Sequence, residues 1–152
     1  MSIWWSLHLR REAASVPLAR RLLLGTMETA GVDPEISFDL SVALSEACAN
    51  AVEHGGGQSP GEASGAYRVT AYMDGEKCRI EVADSGPGFP ARHGGRAHAR
   101  AQFPTLAESG RGLCLIEQLA DHVHFGNRPG RGAVISFDKV LKFREDALLK
   151  VS

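Results

Sequence analysis

The chain has 152 residues, 17 Lys and Arg against 18 Asp and Glu, and a formal net charge of −1. That length suits one domain with a core beneath a single sheet, and nothing in the balanced charge argues for wholesale binding to nucleic acid or anionic membranes. Cys48, Cys78 and Cys114 lack C-x-x-C spacing and read as buried free thiols in a reducing cytosol, and no apolar run reaches the length of a membrane span or an uninterrupted signal-peptide core, so a cytoplasmic protein is expected.

Ile3 to Arg10 is rich in β-favouring residues and alternates at its end, which predicts a first strand. Ser15 is placed to cap a helix before Val16 and Pro17, in which Leu18, Leu22 and Gly25 recur at helical spacing until Gly31 ends it. A second helix is predicted from about Pro34 to the glycines 55–57. Its Ile36, Leu40, Ala43, Leu44, Ala47 and Ala51 fall within one arc of about 100°, the width of a core-facing face. Asp39, Glu46, Asn50 and Glu53 form a polar stripe along that arc, with Glu46 and Asn50 side by side at i and i+4. A lone pair of this kind is most often a solvated edge, so its weight depends on residues further along the chain.

Residues 58–65 turn to Gly, Ser and Pro and read as a surface loop. Tyr67, Val69, Ala71 and Met73, then Cys78, Ile80 and Val82, alternate with polar residues about Asp74-Gly75, which predicts an antiparallel hairpin. The second strand runs into Asp84-Ser85-Gly86-Pro87-Gly88. Residues 89–109 then show no sustained period and carry Arg92, His93, Arg96, His98 and Arg100 against a single acid, Glu108, so a basic lid is expected there. Gly110-Arg111-Gly112 is expected to open a third helix whose Leu113, Ile116, Leu119, Ala120 and Val123 face the core. Val123–Phe125 and Ala133–Phe137 read as a last hairpin about residues 127–130, and residues 141–152 carry no decisive pattern. Helices grouped around antiparallel hairpins predict an α+β two-layer sandwich, with a mainly antiparallel sheet covered on one face by three helices. The expected division is one domain over residues 1–140 and a tail over 141–152.

Asp84, at a strand end before a Gly-x-Gly turn, can read a base by accepting a hydrogen bond from an exocyclic amine, with Gly86 and Gly88 letting ligand and backbone approach. Gly110-x-Gly112 at a helix start can cradle phosphate on bare amides. Each motif alone has a bland reading as a turn or a loosened helix entry. His54, on the apolar arc, reads as a packing histidine, because the other histidines show no zinc spacing.

Taken in order, Glu46-x-x-x-Asn50-Ala51-x-x-His54-Gly55, Asp84-x-Gly86-x-Gly88 and Gly110-x-Gly112-Leu113 resemble the N, G1 and G2 boxes of the ATPase superfamily of DNA gyrase, histidine kinases, MutL and heat-shock chaperones. The short chain and the run Gly110 to Asp121 resemble, within it, the bacterial anti-sigma-factor serine kinases; the resemblance spans about residues 10–138. It implies a Bergerat-type ATPase fold, with Asn50 as magnesium ligand, Glu46 as general base and Asp84 as the adenine-reading carboxylate. It further implies Gly86 and Gly88 at the base pocket, and Gly110, Gly112 and Leu113 at the phosphate end. ATP and Mg2+ are the implied cofactors, and a sigma factor and a STAS-type anti-anti-sigma antagonist the implied partners, with no direct nucleic acid or membrane contact and room for a homodimer. Many relatives carry Thr after the glycine near the penultimate strand, where this chain has Ala133 after Gly132, so that hydroxyl contact to adenine has no counterpart here.

One amide oxygen plus nucleotide phosphates can satisfy magnesium, and phosphoryl transfer needs positioning and charge neutralisation more than covalent chemistry. A P-loop is excluded by the absence of Gly-x-x-x-x-Gly-Lys-Ser/Thr, and a protein-kinase fold lacks support because neither His-Arg-Asp nor Asp-Phe-Gly occurs. The leading expectation is an ATP-dependent protein serine kinase that binds a sigma factor and phosphorylates its antagonist. The alternative is a nucleotide-gated binding module with little or no kinase activity. A detached histidine-kinase catalytic domain is disfavoured, since no helix bearing a phospho-accepting His precedes residue 10.

Overall fold

The structure, a computed structural model, describes residues 2–54, 65–84, 107–128 and 132–145. The elements run β1 (Ile3–Arg10), α1 (Ser15–Ala30), α2 (Pro34–His54), β2 (Ala66–Met73), β3 (Lys77–Asp84), α3 (Ala107–Leu119), β4 (His122–Arg128) and β5 (Gly132–Val140). The strands form one sheet in the order β1-β2-β3-β5-β4, and every pairing among the described strands is antiparallel. The inward positions of the sheet meet a helix layer in which α2 packs between α1 and α3. This is the expected α+β sandwich. The lid expected at 89–109 lies outside the described residues except for its last three, which are helical.

The β2–β3 hairpin follows its alternation residue for residue: Tyr67, Val69, Ala71, Met73, Cys78, Ile80 and Val82 are all buried. Its turn is closed by the Asp74 carboxylate, which accepts from Glu76 N at 2.8 Å and Lys77 N at 3.0 Å. Those amides, Lys77's first, hold the Asp74 carboxyl below the usual range. At the start of α2, Asp33 Oδ1 accepts from Glu35 N at 2.8 Å, the side-chain cap that lets Pro34 occupy the first helical position.

α1 departs from its expected face. Leu18 and Leu22 are exposed, and the buried line is Ser15, Ala19, Leu23, Met27 and Ala30. The helix is apolar on more than one side, so spacing alone could not choose, and the small Ala19 and Ala30 allow the close approach to α2. Ser15 is not the cap either. It lies inside the helix, and its hydroxyl donates to Glu12 O at 2.7 Å. Gly31 ends α1 with φ 83°, and Gly31 N and Val32 N turn back to Glu28 O and Met27 O, closing a Schellman motif.

α3 begins at Ala107, three residues before the expected Gly110. Ala107 is a strong helix former, and Glu108 is favoured in a first turn, where it complements the dipole. Strands β4 and β5 extend beyond the expected cores of the last hairpin. After β5 the chain straps across the α1–α2 corner. Leu141 N donates to Glu76 O, Asp33 N to Lys142 O and Arg144 N to Gly31 O, and Val32 and Phe143 form a β-bridge. The tail expected to begin at 141 is therefore held by hydrogen bonds as far as Arg144.

Candidate active site

α2 positions the first half of the site. Leu40, Ala43, Leu44, Ala47, Cys48 and Ala51 are buried, so the helix lies flat on its neighbours, while Glu46 and Asn50 remain half-buried on its edge as their spacing predicted. Ile36, placed on the core arc by periodicity, is only half-buried. Ser37 and Ser41 are buried instead, because α1 packs on that flank. Asp39, lower on the polar stripe, lies 4.0 Å from Lys139 Nζ, and Glu53 is exposed.

β3 positions the second half. Asp84 is the last residue of the strand, opposite Tyr67 in register and therefore on the inward face. Its Oδ1 accepts from Ala133 N at 3.1 Å, so β5 holds the carboxylate through the backbone of the residue after Gly132. Gly132 before it has φ 88°, a left-handed conformation that glycine adopts without Cβ strain. Gly86 and Gly88 lie outside the described residues, as does the side chain of His54. Gly110 and Gly112 sit in the opening turns of α3 rather than ahead of it. Leu113 is 1 % exposed and belongs to the core, where its side chain seats α3 rather than facing outward.

A buried polar chain lies behind the site. Ser15 Oγ gives its only proton to Glu12 O, so at 2.6 Å it accepts from the Tyr67 hydroxyl. Tyr67 also neighbours the buried Cys48 of α2. Burial pushes the Cys48 and Cys78 thiols up to about 12 and also raises Tyr67. Cys114, expected to be buried, is half-exposed.

Sequence reasoning missed a groove of about 780 Å3 along the outer faces of α1 and α2. Its walls include Leu24, Val32, Phe38 and Val42, with Arg144 near the α1–α2 corner and Glu46 farthest along α2. The available signal was Phe38 and Val42, apolar at i and i+4 on the side of α2 away from the core arc. Glu46 thus stands where the groove meets the edge carrying Asn50. A carboxylate there can accept a proton from a hydroxyl brought along the groove, and Asn50 offers an amide oxygen one turn away.

The family model described as the histidine kinase-like ATPase domain matches residues 9–139. The chain is similar to the serine-protein kinase RsbW of Oceanobacillus iheyensis, with 34% identity over 119 residues, covering 76% of this chain and 73% of that protein. It is 33% identical over 132 residues to the serine-protein kinase RsbW of Bacillus licheniformis, covering 83% and 78% of the two chains. With the anti-sigma F factor of Clostridium acetobutylicum it shares 28% identity over 108 residues, covering 71% and 73%.

Proposed function

The chain belongs to the histidine kinase-like ATPase domain family, and on that premise we propose that it is an ATP-dependent protein serine kinase and anti-sigma factor. Its acceptor is a STAS-type anti-anti-sigma protein, and its other partner a sigma factor, in a cytoplasmic partner switch that can operate as a homodimer. Relatives named as serine-protein kinases and as an anti-sigma factor support both halves of this reading. The observation that carries it is the Glu46–Asn50 pair, half-buried one turn apart on the edge of α2, with Glu46 lining a groove of about 780 Å3 between α1 and α2.

In this reading Asp84 accepts from the adenine amine while Ala133 N holds the other side of the contact. The Asn50 amide oxygen fits magnesium, which takes oxygen ligands and keeps phosphate and water as the rest of its shell. Bound magnesium neutralises phosphate charge. Glu46 orients the acceptor's serine hydroxyl and takes its proton. Gly86, Gly88, Gly110 and Gly112 let backbone approach base and phosphate, and residues 1–140 act as one catalytic domain.

Transfer of labelled γ-phosphate from ATP to a purified STAS-type antagonist tests this. Phosphorylation of the antagonist on serine is expected. A protein that binds ATP yet labels no antagonist of this class would instead be a nucleotide-gated binding module.

A further inference from the structure

Strand β1 ends the sheet, because in the order β1-β2-β3-β5-β4 it is paired only with β2. Alternate residues of an antiparallel strand turn their N–H and C=O to opposite sides, and those of Ile3 to Leu9 that face away from β2 have no partner among the described residues. Proteins protect such edges with proline, bulges, lysines or inward charges. β1 has none of these: its register with β2 runs unbroken and its inward residues are Ile3, Trp5, Leu7 and Leu9. α1 lies over this edge. Its buried line includes Ser15, Ala19, Leu23 and Met27, and Arg20, Leu24 and Glu28, each one residue later, line the groove on the α2 side. Leu18 and Leu22, each one residue earlier, therefore stand about 100° round the opposite way, on the flank above the free edge. They are 51% and 40% exposed. Beneath them Ile3, Trp5 and Leu7 are only half-buried, and Trp5 Nε1 is buried with no acceptor among the described residues.

We propose that this edge docks a second copy of the chain: β1 pairs antiparallel with β1 of the other copy about a two-fold axis normal to the sheet, and Leu18 and Leu22 of the two α1 helices pack together above the join. The occupant has to offer a free strand edge with an apolar helix flank at the same height over it, and this chain's own edge does. The contact is isologous, so it closes on itself and consumes both edges at once. Only pairings that set inward residues against inward residues keep both helix layers on one face of the joined sheet. Centring the pairing on Ser6 meets that condition and sets Trp5 of each copy against Leu7 of the other. Eight residues at about 3.3 Å each, across a sandwich about 20 Å deep, bury roughly 500 Å2 per copy and 1,000 Å2 in all, the lower limit of specific interfaces. A dimer of micromolar affinity follows. The groove and Glu46 lie on the other flank of α1 and stay open. This inference rests on the homodimer of the functional reading above and gives it a surface.

The experiment is sedimentation of the full chain from about 1 to 200 μM, a range that brackets a micromolar dimer. The mass is expected to rise from one chain towards two. Tryptophan emission should shift to the blue over the same range, because both tryptophans of the chain, Trp4 and Trp5, lie in β1. Leu18→Glu combined with Leu22→Glu changes only exposed side chains and sets like charges against one another across the axis, so association should weaken at least tenfold while nucleotide affinity is unchanged. Ser6→Lys places like charges opposite one another at the strand join and should give the same loss by an independent route. Phe38→Glu removes a 64% exposed aromatic from the groove instead and should associate as the parent does. A parent that stays monomeric throughout, or a dimer that survives the Leu18 and Leu22 pair of changes, overturns the surface. A monomeric parent that still labels the antagonist overturns the surface and leaves the kinase standing, and a dimer that binds no adenine nucleotide does the reverse.

Discussion

Asp84 and Ala133 are joined by a backbone hydrogen bond, Ala133 N to Asp84 Oδ1 at 3.1 Å. The donor is main chain, so orienting the carboxylate does not depend on the identity of the side chain at position 133. Asp84→Asn keeps an acceptor for Ala133 and so should leave Tm nearly unchanged. Adenine nucleotide binding should weaken more than tenfold, because loss of one charge-assisted hydrogen bond costs about 1.5–3 kcal/mol. Calorimetry with ATP and magnesium measures it, and equal affinity in the two proteins would remove Asp84 from the base pocket.

Glu46 and Asn50 are separable despite lying one turn apart. Glu46→Ala should retain ATP affinity while transfer to the antagonist falls by roughly a hundredfold or more, the usual effect of losing a positioned acid-base group. If Asn50 holds the metal as proposed, Asn50→Ala should make nucleotide binding and transfer fail together. Parallel titrations and single-turnover assays decide this; loss of ATP affinity in Glu46→Ala would assign that carboxylate to binding instead.

The thiols should report on the fold. Cys48 and Cys78 are buried, with burial raising both to about 12 from 9.0. Raised values mean that the folded state holds these protons more tightly than the unfolded chain. Their contribution to stability is complete below about pH 9 and is lost as pH rises through about 12. Denaturation midpoints should therefore decline above pH 9. At pH 8, a thiol reagent should modify the half-exposed Cys114 first and reach the other two at the rate of unfolding.

Gly31 should resist replacement. Its φ of 83° is left-handed, where a Cβ costs about 1–2 kcal/mol. Gly31→Ala should lower stability by that amount in urea titration with an unchanged m-value. A neutral result would mean that the α1–α2 corner relaxes to another turn.

Where one face of an element meets the core and the other meets water, the chain announced its fold. β2 and β3 alternate, α2 carries a small apolar arc beside a polar stripe, and the matched family segment 9–139 lies within a residue at each end of the span read from the motifs. Where an element is apolar on several sides, packing chose. Leu18 and Leu22 of α1 are exposed while Ala19 and Leu23 are buried against the core. Ser15 matched a capping pattern, yet its hydroxyl meets that of Tyr67, 52 positions away. The groove was equally illegible, since it belongs to two helices jointly and to Arg144 from far along the chain. Glu46, Asn50 and Asp84 stood out in the sequence because they are polar groups at positions beside an apolar arc or at a strand end.

The strap at 141–145 has a consequence for biosynthesis. Val32 and Phe143 meet across about 110 residues of chain, and contacts of such separation close late, after the entropy of the intervening loop has been lost. On the ribosome, α1 and α2 emerge and pair long before Phe143 and Arg144 are made, so the wall that Arg144 lends to the groove is completed only when the end of this segment leaves the exit tunnel. A nascent chain arrested before Leu141 would therefore present a loosened α1–α2 corner, and a partner that needs the finished groove would pass over it until synthesis of the strap was done.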